Sequence, residues 1–368
     1  MANLSKIAIY RNLEPKNDLK SGSLDTLAQL GTKSSEGDDI HLIPCTHESD
    51  KKALKKRAKR KHLSAPLSLR LVDAAKNNPN SNLKKSYFNT YHCCKTLAIR
   101  DDGSVRGNYC KNRWCLVCNN IRTAQLINRY TPIMDEWDDK YFVTLTLPNC
   151  TGNDLPVTLD FMQETFGKIH AKLKKQFQRG KREKIVGLRK LECTYNADRN
   201  DYHPHYHLII RGEKNASDFL AEWLKRVPNA KSIAQDIRPA DSKAVKELFK
   251  YFTKAVTTIR NKKGEIKDRM IYADAMDIIF NSIKGKRTFQ NFGFKAPKVE
   301  AEDFQKNEIE RIIEEVEWVQ ELGDWISSGG ELFSGHTPSK SMIELVTKKI
   351  IVRSWFHGGQ VQINFDSS

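Results

Sequence analysis

The chain has 368 residues, 39% of them hydrophobic, and its 62 lysines and arginines against 45 acidic residues give a formal charge of +17. No apolar run is long enough to cross a bilayer and no signal-type apolar stretch opens the sequence, so a soluble, intracellular protein of two or three units is expected, with a polyanion as its leading partner. Its eight cysteines then point to reduced thiols or metal ligands rather than to a disulfide framework.

Residues 1–85 read as a basic, partly disordered N-terminal region. The run "KKALKKRAKRKH" from Lys51 to His62 holds eight basic residues and no acid. A solvated arm is the plain reading; as a phosphate-binding tail, it would contact DNA through Lys55, Lys56 and Arg57. The following "APLSLRLVDAAK" has the periodicity of a helix of roughly three turns.

Residues 86–131 carry the cysteine-rich stretch. Cys110, Cys115 and Cys118 stand in "CKNRWCLVC", a C-x4-C-x2-C run, with Cys93 and Cys94 on the far side of a hairpin expected around Asp101-Asp102-Gly103. Isolated reduced cysteines are common, but recurrence at the two-residue spacing of a knuckle turn favours a tetrahedral structural zinc site. Spacing alone leaves Cys93, Cys94 and His92 open as the fourth ligand, while Cys45, Cys150 and Cys193 belong to no cluster and read as packing residues.

Residues 132–296 mix strands and helices without regular βαβ repetition. "YFVTLTL" alternates, "LDFMQETFGKIHAKLKKQF" is helical, "IVGLRKLECTYN" is extended, and "SDFLAEWLKRV" is helical again. The fold class is therefore α+β, a sheet with helices on one face, preceded by the small zinc-binding module.

The segment "YHPHYHLII" places His203, His205 and His207 at alternate positions. On a strand they project from one face at intervals of roughly 6.6–6.8 Å, while Tyr206 and Leu208 face the other way. A lone histidine is more often a packing or surface residue; three in phase favour a metal ligand set. Glu192, one strand earlier across the polar turn "NADRND", comes over the same face if the two strands pair, or is a surface carboxylate if they do not.

"DSKAVKELFKYFTKAV" is capped by Asp241 and Ser242 and sets Glu247 and Tyr251 four residues apart, hence on one helical face, with Lys250 and Lys254 nearby. An aromatic on such a helix is usually core; beside a metal-binding strand it also suits a phenol that attacks a phosphodiester while lysines hold phosphate. After Lys295 the composition turns acidic. "EAEDFQKNEIERIIEEVEWVQELGDWI" places Ile309, Ile312, Ile313, Val316, Val319, Leu322 and Ile326 on one stripe, so residues 297–368 are expected to be a helical extension that packs on the preceding domain or on a second copy.

Together, "FVTLTLPN" from Phe142, "HPHYHLII" from His203, "ELFKYFTK" from Glu247 and the upstream cysteine run resemble the HUH endonuclease superfamily, and more closely its single-tyrosine rolling-circle initiators of plasmid replication. The resemblance covers Cys93 to Phe294, and "GKRTFQNFGFK" from Gly285 is similar to that family's closing segment. It implies a central antiparallel sheet with flanking helices, and Mg²⁺ or Mn²⁺ held by His205 and His207, with Glu192 as third ligand and His203 as an extra histidine. It further implies attack by Tyr251 on origin DNA, single-stranded at the nick, leaving a 5′-phosphotyrosine bond and a free 3′ hydroxyl, with Glu247 activating water or strand transfer ending the round. Ala255 stands where two-tyrosine initiators carry a second tyrosine. A host helicase, a bacterial cytoplasmic setting and no membrane contact accompany the resemblance. A transposase of single-stranded DNA would share these residues; a zinc-dependent DNA-binding regulator without catalysis would share only the metal sites.

Overall fold

A computed structural model describes residues 46–47, 50–227, 229–249, 257–260, 266–296 and 312–340. After the short β1 (Thr46–His47), helix α1 (Lys51–Asn77) starts where the Asp50 carboxylate accepts the Ala53 N–H at 3.0 Å, an N-cap that satisfies one orphan donor. Helix α2 (Lys84–Tyr91) leads into β2 (Thr96–Arg100) and β3 (Ser104–Gly107), which pair antiparallel across the expected turn. Gly103 has a φ of 77° there, a conformation that glycine adopts at no steric cost.

Helix α3 (Leu116–Asp135) connects to β4 (Lys140–Thr146), α4 (Leu155–Gln178), β5 (Gly187–Asn196), β6 (Asp201–Arg211) and α5 (Glu213–Arg226). Then follow β7 (Asp236–Pro239), α6 (Ser242–Leu248), the antiparallel pair β8 (Thr257–Arg260) and β9 (Ile266–Met270), α7 (Ala273–Ser282), β10 (Phe289–Phe292), β11 (Ile312–Val319) and β12 (Asp324–Ile326).

The strands form two larger sheets. The order β10-β5-β6-β4-β7 gives an antiparallel sheet whose centre is the histidine strand β6, between β5 and β4. Strand alternation sorts its side chains. Tyr206, Leu208 and Ile210, with Leu191 and Leu145 from the neighbouring strands, are buried in one cluster with Met162 and Phe166 of α4 and Phe219 and Trp223 of α5. Each such buried large side chain contributes roughly 1.5–3 kcal/mol relative to exposure.

The opposite face carries the histidines and, further along, Ile209. There Ile209, Phe142 and Leu188 pack with Tyr130 and Met134 of α3 and with Ala244 and Leu248 of α6. Helices thus lie on both faces of the sheet rather than on one, and the second layer covers the apolar half of the histidine face.

Two expectations are overturned. Where the acidic segment is described it is not helical: Ile312–Val319 and Asp324–Ile326 are strands, and β11 pairs with β2, extending a sheet of order β1-β3-β2-β11-β12, while residues 297–311 and 341–368 of the expected extension lie outside the described residues. β-branched Ile312, Ile313, Val316 and Val319 and aromatic Trp318 and Trp325 favour the pleated surface, and Gly323, at φ 66°, serves the turn between the strands. Trp325 is fully buried and its indole donates to the Cys94 carbonyl at 2.8 Å.

The basic run is likewise not a disordered arm. It is the first half of α1, continuous with the "APLSLRLVDAAK" helix. Leu54 and Ala58 pack in the cluster around the cysteines, while Leu67, Leu71, Val72 and Ala75 pack in the cluster beneath the histidine sheet. Leucine and alanine at helical spacing give the run an inward face that its net charge conceals. Lys55 and Lys56 are exposed, but Arg57 is buried, with its guanidinium 5.9 Å from the Tyr109 ring centroid.

Candidate functional site

The cysteine cluster is assembled from a turn and a helix start. Cys93 follows α2, Cys110 and Cys115 bracket the loop after β3, and Cys118 lies in the first turn of α3. The sulfurs of Cys93, Cys110, Cys115 and Cys118 all lie within 4.8 Å of one another. Cys93 and Cys110 stand 3.5 Å and 3.6 Å from Cys118, against ~3.8 Å between vertices of a tetrahedron with zinc–sulfur bonds of ~2.3 Å. Cys94, at φ 54°, is turned away, with its sulfur lying towards Gly107, and His92 is exposed against the Phe88 and Tyr91 rings.

Backbone N–H groups point at this cluster: Lys111 donates to Cys118 Sγ at 3.3 Å, Cys110 to Cys93 Sγ at 3.4 Å and Cys118 to Cys115 Sγ at 3.5 Å. Such donors stabilise thiolate charge. Hydrogen bonds from Cys115, Cys118 and Cys93 hold the Cys110 thiol far below its ordinary range, while burial pushes Cys115 up. Lys61 of α1, only 1% exposed, donates to the Tyr91 carbonyl at 2.6 Å; burial pushes its ammonium below the usual lysine range, and the charge of Cys93, Cys94, Cys115 and Cys110 opposes that shift. A buried cation beside thiolates offsets their charge. The donor set fits a structural zinc ion. Of the cysteines expected to pack, Cys193 is buried and Cys150 half-buried, while Cys45 lies outside the described residues.

The second group is built on the β5–β6 pair, whose register sets Glu192 opposite His205, Lys190 opposite His207 and Thr194 opposite His203. Ligand atoms of Glu192, His205 and His207 lie within 4.8 Å of one another. Glu192 Oε2 is 3.4 Å from His205 Nε2 and 3.6 Å from His207 Nε2.

The remaining ring nitrogens are engaged elsewhere. His205 Nδ1–H donates to the His203 carbonyl at 3.1 Å, and His207 Nδ1 lies 3.2 Å from the Thr144 hydroxyl on β4. Both Nε2 atoms are therefore left to face the carboxylate, the arrangement in which outer partners orient metal-binding imidazoles. Two imidazoles and one carboxylate oxygen, with positions to spare, fit a catalytic divalent cation. His203 stands apart: its Nδ1 is bonded to Asn149 Oδ1 at 2.7 Å, and its ring stacks on His205 at 5.2 Å.

Burial alone would raise the Glu192 carboxyl, but the Lys190 ammonium and hydrogen bonds from His205 and His207 outweigh it and hold the group well below the usual carboxylate range. Lys190 bonds directly to Glu192 Oε1 and reaches the Glu247 carbonyl at 3.4 Å, so the end of α6 lies beside the carboxylate. Lys61, Lys190 and Thr144 escaped the sequence reading. For Lys190 a signal was present, because its position two residues before Glu192 puts it on the same strand face. Glu247 is half-buried in α6; Tyr251, Lys250 and Lys254 lie outside the described residues.

Residues 104–219 match the family described as Replication protein. Curated relatives carry the name Protein rep. One from Staphylococcus aureus is 29% identical over 44% of this chain and 76% of its own length. One from a Bacillus species is 28% identical over 46% and 67%, and one from Streptococcus pneumoniae serotype 2 is 27% identical over 53% and 65%. The chain thus spans about two thirds of the length of the curated relatives it matches. No solved structure matches it. From β3 through the cysteine run and the histidine strand into α5, this chain is similar to the replication-protein family.

Proposed function

We propose that this protein is a plasmid rolling-circle replication initiator of the HUH endonuclease type, which nicks one strand of its origin through Tyr251. The observation that carries this reading is the convergence of Glu192, His205 and His207 on one sheet face, beside the end of the helix that precedes Tyr251.

A divalent cation, Mg²⁺ or Mn²⁺, held by His205, His207 and Glu192 would polarise a phosphate oxygen of bound DNA. Thr144 and the His203 carbonyl keep the two Nε2 atoms facing inwards, and Lys190 keeps Glu192 ionised. The Tyr251 phenolate oxygen attacks the phosphorus of a single-stranded segment, and the bond to the 3′ oxygen breaks. The products are a 5′-phosphotyrosine link and a 3′ hydroxyl able to prime synthesis. Lys250 and Lys254 hold neighbouring phosphates, and Glu247 activates water when the round ends. Structural zinc in the four-cysteine cluster fixes the upstream module. Exposed Lys55 and Lys56 contribute phosphate contacts, and a host helicase would extend the opened duplex.

The test incubates the full chain with single-stranded oligonucleotides from its replicon's origin, with Mn²⁺ or with chelator, and searches by mass spectrometry for a DNA–peptide adduct. A metal-dependent adduct on Tyr251, lost in Tyr251→Phe with DNA binding retained, is expected. Tight binding without any adduct would replace this reading by a non-catalytic DNA-binding regulator.

A further inference from the structure

Helix α2 carries a group of rings that the core does not use. Its Tyr87 is fully buried, with the hydroxyl donating to Asp277 of α7 at 2.7 Å, and this pins one side of the helix. On the other side Phe88 is 50% exposed, Tyr91 is half-buried and His92 is exposed. The His92 ring stands edge-on to Phe88 at 4.8 Å and to Tyr91 at 5.1 Å, while the Phe88 and Tyr91 planes are 24° from parallel. Of the exposed phenylalanines among the described residues, Phe88, Phe161 and Phe177, only Phe88 has ring neighbours. Single apolar side chains on a surface need no explanation, but clustered rings leave in water the faces that a flat partner would cover.

The charge around these rings is one-sided. From Ala74 to Arg100 the chain holds no acidic residue, and Lys84 and Lys85 of α2 are exposed, with no ion pair among the described residues. The carboxylates that approach α2 are occupied: Asp277 accepts from Asn78, Ser81, Tyr87 and Asn281, and Glu317 of β11 pairs with Lys95. The rings are also anchored, because the Tyr91 carbonyl takes the buried Lys61 ammonium and Cys93 of the four-cysteine cluster follows His92 directly.

We propose that Phe88, Tyr91 and His92 form a platform for single-stranded DNA, on which unpaired bases stack while Lys84 and Lys85 hold the flanking phosphates. Aromatic faces beside cations grip a strand without reading its sequence. Only an unpaired strand offers its base faces, since in a duplex the bases cover one another. That the strand is DNA rests on the replication reading. The platform itself uses neither the cation site nor Tyr251, and it stands on α2, outside the sheet that carries the histidines.

Fluorescence anisotropy of the full chain, without added divalent metal, measures affinity for a labelled single-stranded oligodeoxynucleotide and for a blunt duplex over a range of salt concentrations. Phe88→Ala should weaken single-strand binding about fivefold or more, as loss of a base stack predicts, and Phe88→Trp should restore it. Duplex binding by Phe88→Ala, and single-strand binding by the control Phe177→Ala, should stay near wild type. Lys84→Ala combined with Lys85→Ala should flatten the salt dependence of single-strand affinity, whereas Phe88→Ala should keep the wild-type slope, because only the lysines release counterions. Single-strand affinity of Phe88→Ala within about twofold of wild type, or an equal loss for the duplex, overturns the proposal. The measurement needs neither metal nor cleavage, so its failure is separate from a failure of the nicking reading.

Discussion

Replacing Lys190 by methionine tests the charge balance of the histidine site directly. The Lys190 side chain is 5% exposed and that of Glu192 11%, so the substitution keeps the apolar stem but strips a buried carboxylate of its ammonium partner. Breaking one side of a buried ion pair costs ~3–5 kcal/mol, and because His205 and His207 still face Glu192, the low end, about 3 kcal/mol, applies. For a folding unit of 150–250 residues each kcal/mol shifts Tm by ~2–4 °C, so the melting temperature of metal-free Lys190→Met should lie about 6–12 °C below wild type. Mn²⁺ should stabilise the variant more than the wild type, because a cation bound beside Glu192 replaces the missing charge. Scanning calorimetry of both proteins, with and without Mn²⁺, reads both effects. A metal-free variant melting within about 2 °C of wild type would refute the reasoning, since Glu192 would then need no counter-charge.

Thr144→Val frees the outer nitrogen of His207 and should weaken Mn²⁺ binding ~10–100-fold while leaving the melting temperature of the metal-free protein close to wild type, measurable by isothermal titration. Purified protein should contain one zinc ion per chain by mass spectrometry under native conditions; Cys115→Ala should lose it and melt earlier, and equal melting temperatures would argue against a structural ion. Trp325→Ala, which empties a fully buried site, should cost ~3–5 kcal/mol in denaturant unfolding. If its unfolding curve overlays that of the wild type, the C-terminal strands are not integral to the cysteine unit.

Much of the histidine site was legible because strand parity is a local rule. Alternate histidines, a polar turn and an earlier glutamate left Glu192 open between the histidine face and a surface position, and the β5–β6 register decides it by setting Glu192 opposite His205. The cysteine spacing was equally readable, but the choice between Cys93 and Cys94 depends on one backbone dihedral, the left-handed φ of 54° at Cys94, which sequence does not encode on its own. The strands after residue 311 were misread because Ile312, Ile313, Val316 and Val319 satisfy a helical stripe as well as an extended one. What decides between them is β2, a partner more than two hundred residues earlier, and local periodicity carries no record of it. The inward face of α1 was hidden for the opposite reason, since the long stems of Arg57 and Lys61 can be buried although their charges argue for solvent.

The insertion of β11 beside β2 also orders events during synthesis. The Trp325 indole and the Cys94 carbonyl are 231 positions apart, so the cysteine unit gains this part of its packing only after nearly all of the sheet with the histidines has been made. Until then β2 presents an unpaired edge to its surroundings, a surface on which another nascent chain could dock its own strand. On the ribosome, the cysteine unit thus begins to form before the sheet with the histidines and is completed after it.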